Sequence, residues 1–381
     1  MPSVYQIGRV GRVYMAEEAT YGTAATVVAG DAVRHLSVKL SQNPRNRVAS
    51  PERHTHPSQI YKFTRRETAS WMWRDILYPS GTLNTLPDVE PILLNGFGSK
   101  TNVTLSTTVS ATPAPTTTVF TVASAAGLVA GDAVLVNATS GGRQVRFITA
   151  IAGAALTVAP ALSAAPASGD SVKGCITYKL ATAFQKALTI AHYLTSKSYE
   201  GRGAVVETLK FSVDANEEMM LEASGPMKTR ARPAQTDPTT FTTAGTTPPS
   251  GLTASLRSGA TAEEFLRASI EIANGFELDN VAAGTTNAQN AYRRGKRACK
   301  LTVDQRSSDD ITIEDLAQNT TDWAGLLQQG LTEGSIIALY LPVVELEVPD
   351  DPDNEFELDH AYKGDLKAST AGNDEVSLAL A

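Results

Sequence analysis

His54 and His56 are the closest pair of potential metal ligands in the chain. On a strand, their i, i+2 spacing would bring both imidazoles to one face, where they could hold a transition metal. No third ligand follows nearby, and Arg53 and Pro57 favour a solvated loop instead. Cys175 and Cys299 are far apart and lack the spacing of a metal knuckle or redox pair, so two small core residues are expected. Carboxylates crowd at Asp309–Asp310 and from Asp350 to Glu357, without the alternating oxygen ligands and closing Glu of a calcium loop. The chain has no GxSxG elbow, HExxH helix, phosphate-binding GxxxxGK[ST] or dinucleotide GxGxxG. No enzyme activity, cofactor or metal is expected. Trp71 and Trp73 could stack on a sugar ring, but Met72, Ile76 and Leu77 beside them favour a core edge or subunit contact.

Charge is the more informative signal. The formal net charge is −7, which argues against affinity for nucleic acid, since that affinity rests on Lys and Arg displacing phosphate counterions. The distribution is uneven. Arg45, Arg47, Arg53, Lys62, Arg65, Arg66 and Arg74 face only Glu52 and Glu67 within their stretch. Near the C-terminus Glu345, Glu347, Asp350, Asp351, Asp353, Glu355, Glu357 and Asp359 are followed by Asp365, Asp374 and Glu375, with Lys363 and Lys367 alone opposing them. This asymmetry suits a protein that meets copies of itself, basic side to acidic side. Two solvated loops of opposite sign would read the same way.

The elements that would position these residues are mostly strands. A chain of 381 residues with 42% hydrophobic content is long enough for two to three domains and a real core. No apolar run is long enough for a membrane helix, and Gly8, Arg9, Gly11 and Arg12 interrupt any signal-peptide stretch; a cytosol-like compartment is expected. Short runs rich in Val, Ile, Thr, Tyr and Phe alternate with Gly, Pro, Asn and Asp clusters, an all-β signature. Val33 to Leu40 and Ile60 to Trp73 read as strands around a long basic segment. From about Val103 to Lys173 acidic groups nearly vanish, and short strands with Gly turns suggest an inserted β module. Val205 to Ser224 reads strand, turn, strand, and a Thr/Pro-rich linker follows. Glu264 to Ala273 reads as a short helix or strand. Ile313 to Gln329 is the best helix candidate, stopped by Gly330. Two internal echoes, Leu209–Gly225 with Leu366–Ala381 and Val33–Leu40 with Phe265–Ile272, suggest a duplicated β unit.

The order of several phrases resembles the major tail tube proteins of long-tailed, siphovirus-type bacteriophages. These phrases are AEEATYGT from Ala16 to Thr23, the basic loop Asn43 to Arg53, and YEGRGAVVETLKFSVDANEEMMLEAS from Tyr199 to Ser224. ELDN at Glu277 to Asn280 then precedes the basic run Tyr292 to Lys300 and the TVD step Thr302 to Asp304, and NDEVSLAL closes the chain. The resemblance implies a mainly β, tail-tube-type sandwich or barrel, to which the echoes add duplication and the residue pattern one short helix in the C-terminal half. On this reading 1–102 and 176–227 form a first β domain, 103–175 an inserted outer module, 228–259 a linker and 260–381 a second β domain. It further implies a virion protein without catalytic residues, whose copies close β-barrels into rings and stack them as a hollow tail tube for DNA ejection. Homotrimeric, pseudo-hexameric rings are favoured over homohexamers. Tape measure and tail-end proteins are implied partners, DNA passes without specific binding, and no membrane is involved. Arg45, Arg47, Arg53, Arg65 and Arg66 are the candidate inter-ring contacts. Glu345, Glu347, Asp350, Asp351, Asp353, Glu355, Glu357 and Asp359 are the candidate lumen or ring-surface acids. A capsid-decoration or adhesion protein binding a receptor or carbohydrate is the alternative.

Overall fold

The computed structural model describes residues 11–43, 47–49, 61–64, 68–182, 186–194, 197–232, 236–241, 243, 247–258, 261–278, 291–293, 296–306, 312–319, 321–349, 359–369 and 372–381. The molecule is mainly β, and every strand ladder among these residues is antiparallel. Its centre is a fourteen-stranded sheet. Eight strands of that sheet organise the rest: β1 (Ser37–Asn43), β2 (Thr68–Ile76), β3 (Thr208–Asp214), β4 (Met220–Met227), β5 (Arg267–Ala273), β6 (Ala298–Arg306), β7 (Ile337–Leu346) and β8 (Asp359–Lys367).

Their order across the sheet is β1-β2-β4-β3-β5-β6-β8-β7. The first four strands in sequence thus take an order that the second four repeat, and the two sets join where β3 pairs with β5. The registers repeat as well. Ser37 lies opposite Arg74, and Arg267 opposite Asp304, each partner displaced by 230 positions. In the last pair of each set Ile76 lies opposite Met220 and Arg306 opposite Asp359, with β4 and β8 displaced by 139 positions. Burial follows the same parity: Ala69, Trp71, Trp73 and Asp75 are buried on β2, and Cys299, Leu301, Val303 and Gln305 on β6. Side chains alternate across a strand, so equal register and parity put equivalent positions on the same face.

One glycine marks the equivalence independently. A Cβ on Gly225 of β4 would sit 2.0 Å from the Val205 carbonyl oxygen, and one on Gly364 of β8 would sit 2.8 Å from the Glu345 carbonyl oxygen. The two glycines are 139 positions apart, and each lets the neighbouring backbone approach more closely than a side chain allows.

The internal echoes are corrected accordingly. Leu209–Gly225 spans the hairpin of β3 and β4, whereas Leu366–Ala381 spans the end of β8 and a strand at Ser377–Leu380 that both pair with β7, not with each other. The structural counterpart of β4, Met220–Met227, is 359–366 of β8. The other echo holds with a shift of two positions: Val33–Leu40 corresponds to Glu263–Ile270.

Each four-strand set has its own cover. A five-stranded sheet containing Arg12–Glu17 and Leu188–Tyr193 lies over the first set, and Val13, Met15, Leu188 and Ile190 share a core with Leu40, Trp71, Trp73 and Met227. Helix α1 (Glu90–Phe97) adds Ile92, Leu93 and Phe97, the last against Tyr178 and Phe211. Over the second set lie Ile313 and Ala317 of helix α2 (Thr312–Gln318) with Trp323, Leu327 and Leu378, which share a core with Leu339 of β7.

The expected helix Ile313–Gln329 ends at Gln318 and gives way to a strand at Trp323–Gln329. Asn319 Nδ2 donates to the Asp315 carbonyl and closes the helix. Beyond it Leu326 and Leu327 enter two different cores, one on each face of the strand, which helical geometry would not allow for adjacent residues.

The chain leaves the central sheet after Gly98–Asn102 and returns at Ile176–Leu180. These strands pair with each other, Asn102 opposite Ile176. Between them a six-stranded sheet spans 106 to 174 and closes its own core of Phe120, Val134, Val136, Ile148, Leu156 and Val172. Its opposite face docks on the second set: Leu135, Val145 and Phe147 pack with Leu326, Ile336 and Ala338, and Lys173 ion-pairs Glu333 at 2.8 Å.

Candidate functional site

Three surfaces of the central sheet follow from this arrangement: an edge, a pair of connections and an open face. The edge is β1, which among the described strands pairs only with β2. Its counterpart β5 is paired on both sides, with β6 and β3. An edge strand presents a row of backbone donors and acceptors suited to another chain's strand. At the far side of the eight strands, Trp323–Gln329 covers β7 only as far as Val344.

The connections are those between the first and second strand of each set, 44–67 and 274–297, equal in length. Each contains a small two-stranded ladder, Arg47–Ala49 with Tyr61–Thr64 and Phe276–Leu278 with Ala291–Arg293. Each re-enters its sheet through basic residues, Arg65 and Arg66 in the first and Lys296 and Arg297 in the second. Arg297 is buried at the base, donating to the Ala181 carbonyl at 2.6 Å and to Glu375 at 3.2 Å.

The open face has the most ordered chemistry. Alternate residues of the eight strands point away from the core, and one cross-strand row runs Ser37, Arg74, Glu222, Lys210, Glu271, Lys300, Asp365, Glu345, each residue directly opposite the next. From Arg74 to Asp365 the charge alternates at every strand. Arg74 Nε lies 3.0 Å from Glu222. At the far end Glu345 takes Lys367 at 2.5 Å, and that bond raises the lysine's pKa. The row on one side is uncharged across Ile76, Met220, Ser212, Ser269 and Thr302. Beyond it Arg267 pairs with Asp214 at 2.5 Å, which raises the guanidinium's pKa. Arg74, Lys210, Asp214, Glu222 and Arg267 line a cavity of about 280 Å³ on this face.

Of the residues singled out in the sequence, Glu345 belongs to this row. Glu347 is exposed just beyond β7, its N–H bonded to the Lys363 carbonyl at 2.7 Å. Arg47 opens the small ladder of the first connection and Asp359 opens β8; their side chains lie outside the described residues. So do Arg45, Arg53, Arg65, Arg66, Asp350, Asp351, Asp353, Glu355 and Glu357, and His54 and His56. Among the described residues no three His, Cys, Asp or Glu side chains gather as metal ligands, and Cys175 and Cys299 are buried and form no disulfide. Trp71 and Trp73 are buried, their indole N–H groups donating to the Val205 and Arg34 carbonyls at 2.9 Å. They are core residues and no platform for a sugar. Arg74 was read only as part of a basic stretch, and Lys210, Glu222, Glu271 and Lys300 escaped sequence reasoning, because the five come from five strands and only the register places them in line.

A search of curated proteins finds no match to this chain. A family model described as phage tail tube protein matches residues 142–359, from within the inserted sheet to the first residue of β8. The match covers more than half of the chain, which therefore belongs to the phage tail tube protein family.

Proposed function

We propose that three copies of this chain close into a ring of six four-strand units, and that rings stack into the hollow tail tube through which DNA is ejected. The observation that carries the reading is the repeated strand order with its repeated register. The β3–β5 junction then serves as the template for the junction between chains, with β1 as acceptor edge. Transferring its register places Glu347 of one subunit opposite Asn43 of the next, and Val348 opposite Gln42. The domain division follows: 1–102 with 176–227 and 260–381 each supply one unit, 228–259 links them, and 103–175 decorates the outside. The open face lines the bore, and DNA passes without specific binding. Tape measure and tail-end proteins complete the tail.

Electron cryomicroscopy of assembled material tests this directly. Threefold rings with pseudo-sixfold inner walls are expected; discrete monomers at high concentration, or rings of six chains, would overturn it. The register has its own check. Glu347→Cys with Asn43→Cys should crosslink neighbouring subunits on oxidation, with the native thiols buried and silent.

Stacking is assigned to the first connection, whose Arg45, Arg47, Arg53, Arg65 and Arg66 would meet the acids Asp350, Asp351, Asp353, Glu355, Glu357 and Asp359 of an adjacent ring. Each exposed pair is worth at most about 1 kcal/mol, but symmetry repeats it around the ring. Reversing Arg45, Arg47 and Arg53 to Glu should leave rings and abolish tubes in negative stain; normal tubes would refute the assignment.

A further inference from the structure

We propose that the alternating row on the open face is a masked polyanion track: its cations could hold the phosphates of double-stranded DNA, and the carboxylates facing them prevent it. The inference rests on the tube reading for its biological setting, but the row lies within one chain. Arg74, Lys210 and Lys300 stand on every second strand of the order β2-β4-β3-β5-β6, so they recur at about 9.5 Å along the row, twice the strand spacing. Between them stand Glu222 and Glu271, and Asp365 follows Lys300 on β8. Each cation therefore has a carboxylate directly opposite, and Arg74 is close enough to Glu222 for an ion pair.

The physical argument concerns exchange. A lysine or arginine attracts DNA because the phosphate it meets releases a condensed counterion. A cation already facing a carboxylate must trade that partner for the phosphate and leave the carboxylate beside the polyanion. The trade gains little, and the uncovered carboxylate repels. A wall of carboxylates alone would repel DNA too, but would also repel itself across adjacent strands, since like charges directly opposite destabilise a sheet. Alternation resolves both demands at once. The row thereby differs from the acid-only lining expected from the C-terminal sequence.

The test uses the full chain with Glu222→Gln, Glu271→Gln and Asp365→Asn, titrated against a fluorescent mixed-sequence DNA duplex. The unmodified chain should show no binding at micromolar concentration. The triple variant should bind, and its affinity should fall roughly 40-fold between 50 and 200 mM salt, as three phosphate contacts require. Adding Arg74→Gln, Lys210→Gln and Lys300→Gln should remove that binding. A folded triple variant that binds no better than the unmodified chain would overturn the proposal, as would tight binding by the unmodified chain. Should the triple variant not fold, Glu271→Gln alone must raise affinity measurably above the parent, or the proposal fails. Electron microscopy of the same samples keeps the outcomes apart: absence of rings in the parent sinks the tube reading, and the duplex titration judges the row.

Discussion

The two four-strand sets share a backbone plan and almost none of its side chains. Where β2 buries Trp71, Trp73 and Asp75, β6 buries Leu301, Val303 and Gln305 at the same positions. The first set packs Trp71, Trp73 and Phe211 beneath a five-stranded cover; the second packs beneath α2 and the strand Trp323–Gln329, with the inserted module docked alongside. What persists is strand order, register, face parity and one close backbone approach. Ladder geometry restricts those features, whereas core composition can change wherever the cover changes with it.

The largest effect expected from breaking this comparison comes from Trp73, fully buried and absent from the second set. Trp73→Ala should cost about 3 to 5 kcal/mol, read as the loss in a denaturant midpoint. Val303→Ala at the equivalent position should cost much less, because fewer buried atoms are removed. Equal losses would show that the two covers do not differ as described.

The paired glycines come next. Gly225→Ala drives a methyl to within 2.0 Å of a carbonyl oxygen and must shift backbone; Gly364→Ala at 2.8 Å needs a smaller adjustment. Both should destabilise, by about 1 to 3 kcal/mol or more for overpacking, with Gly225 the more sensitive in thermal melts. Tolerance at both positions would remove the close approach as a shared feature.

The smallest effect sharpens the comparison by making one set more like the other. Burial pushes the Asp75 carboxyl up to about 6, despite the nearby Arg34 guanidinium, and Asp88 is raised likewise. An unfolded Asp titrates near 4. The folded chain therefore binds this proton more tightly, and stability falls as pH rises from about 4 to about 6. Asp75→Gln installs the residue type found at Gln305. It should raise stability at pH 7 by about 1 kcal/mol, with the gain vanishing near pH 4. Melting curves at both pH values check the sign, and a loss at pH 7 would mean that the ionised carboxylate is needed.

Much of the architecture was readable from residue patterns. Alternation identified the strand character, and the strand, turn, strand reading of Val205 to Ser224 marked the β3–β4 hairpin because chain neighbours pair there. The small, nearly acid-free stretch after Val103 read as a separate β module for the same local reason. Helix α1 was not readable: Ile92, Leu93, Asn95, Gly96 and Phe97 are all buried, so it shows no polar face and no period. The duplication was legible only in part. Residues at equivalent positions of β4 and β8 differ, so composition alone does not align them.

The candidate surfaces divide along the same line. Charge asymmetry between the basic first connection and the acidic segment after β7 belongs to the amino-acid sequence, since each lies in one continuous stretch. The alternating row does not. Its members are separated by as many as 148 positions between neighbours, Arg74 to Glu222, and no local pattern links them. Strand pairing alone brings them into line, because register sets which side chains face one another and parity sets which face of the sheet they share.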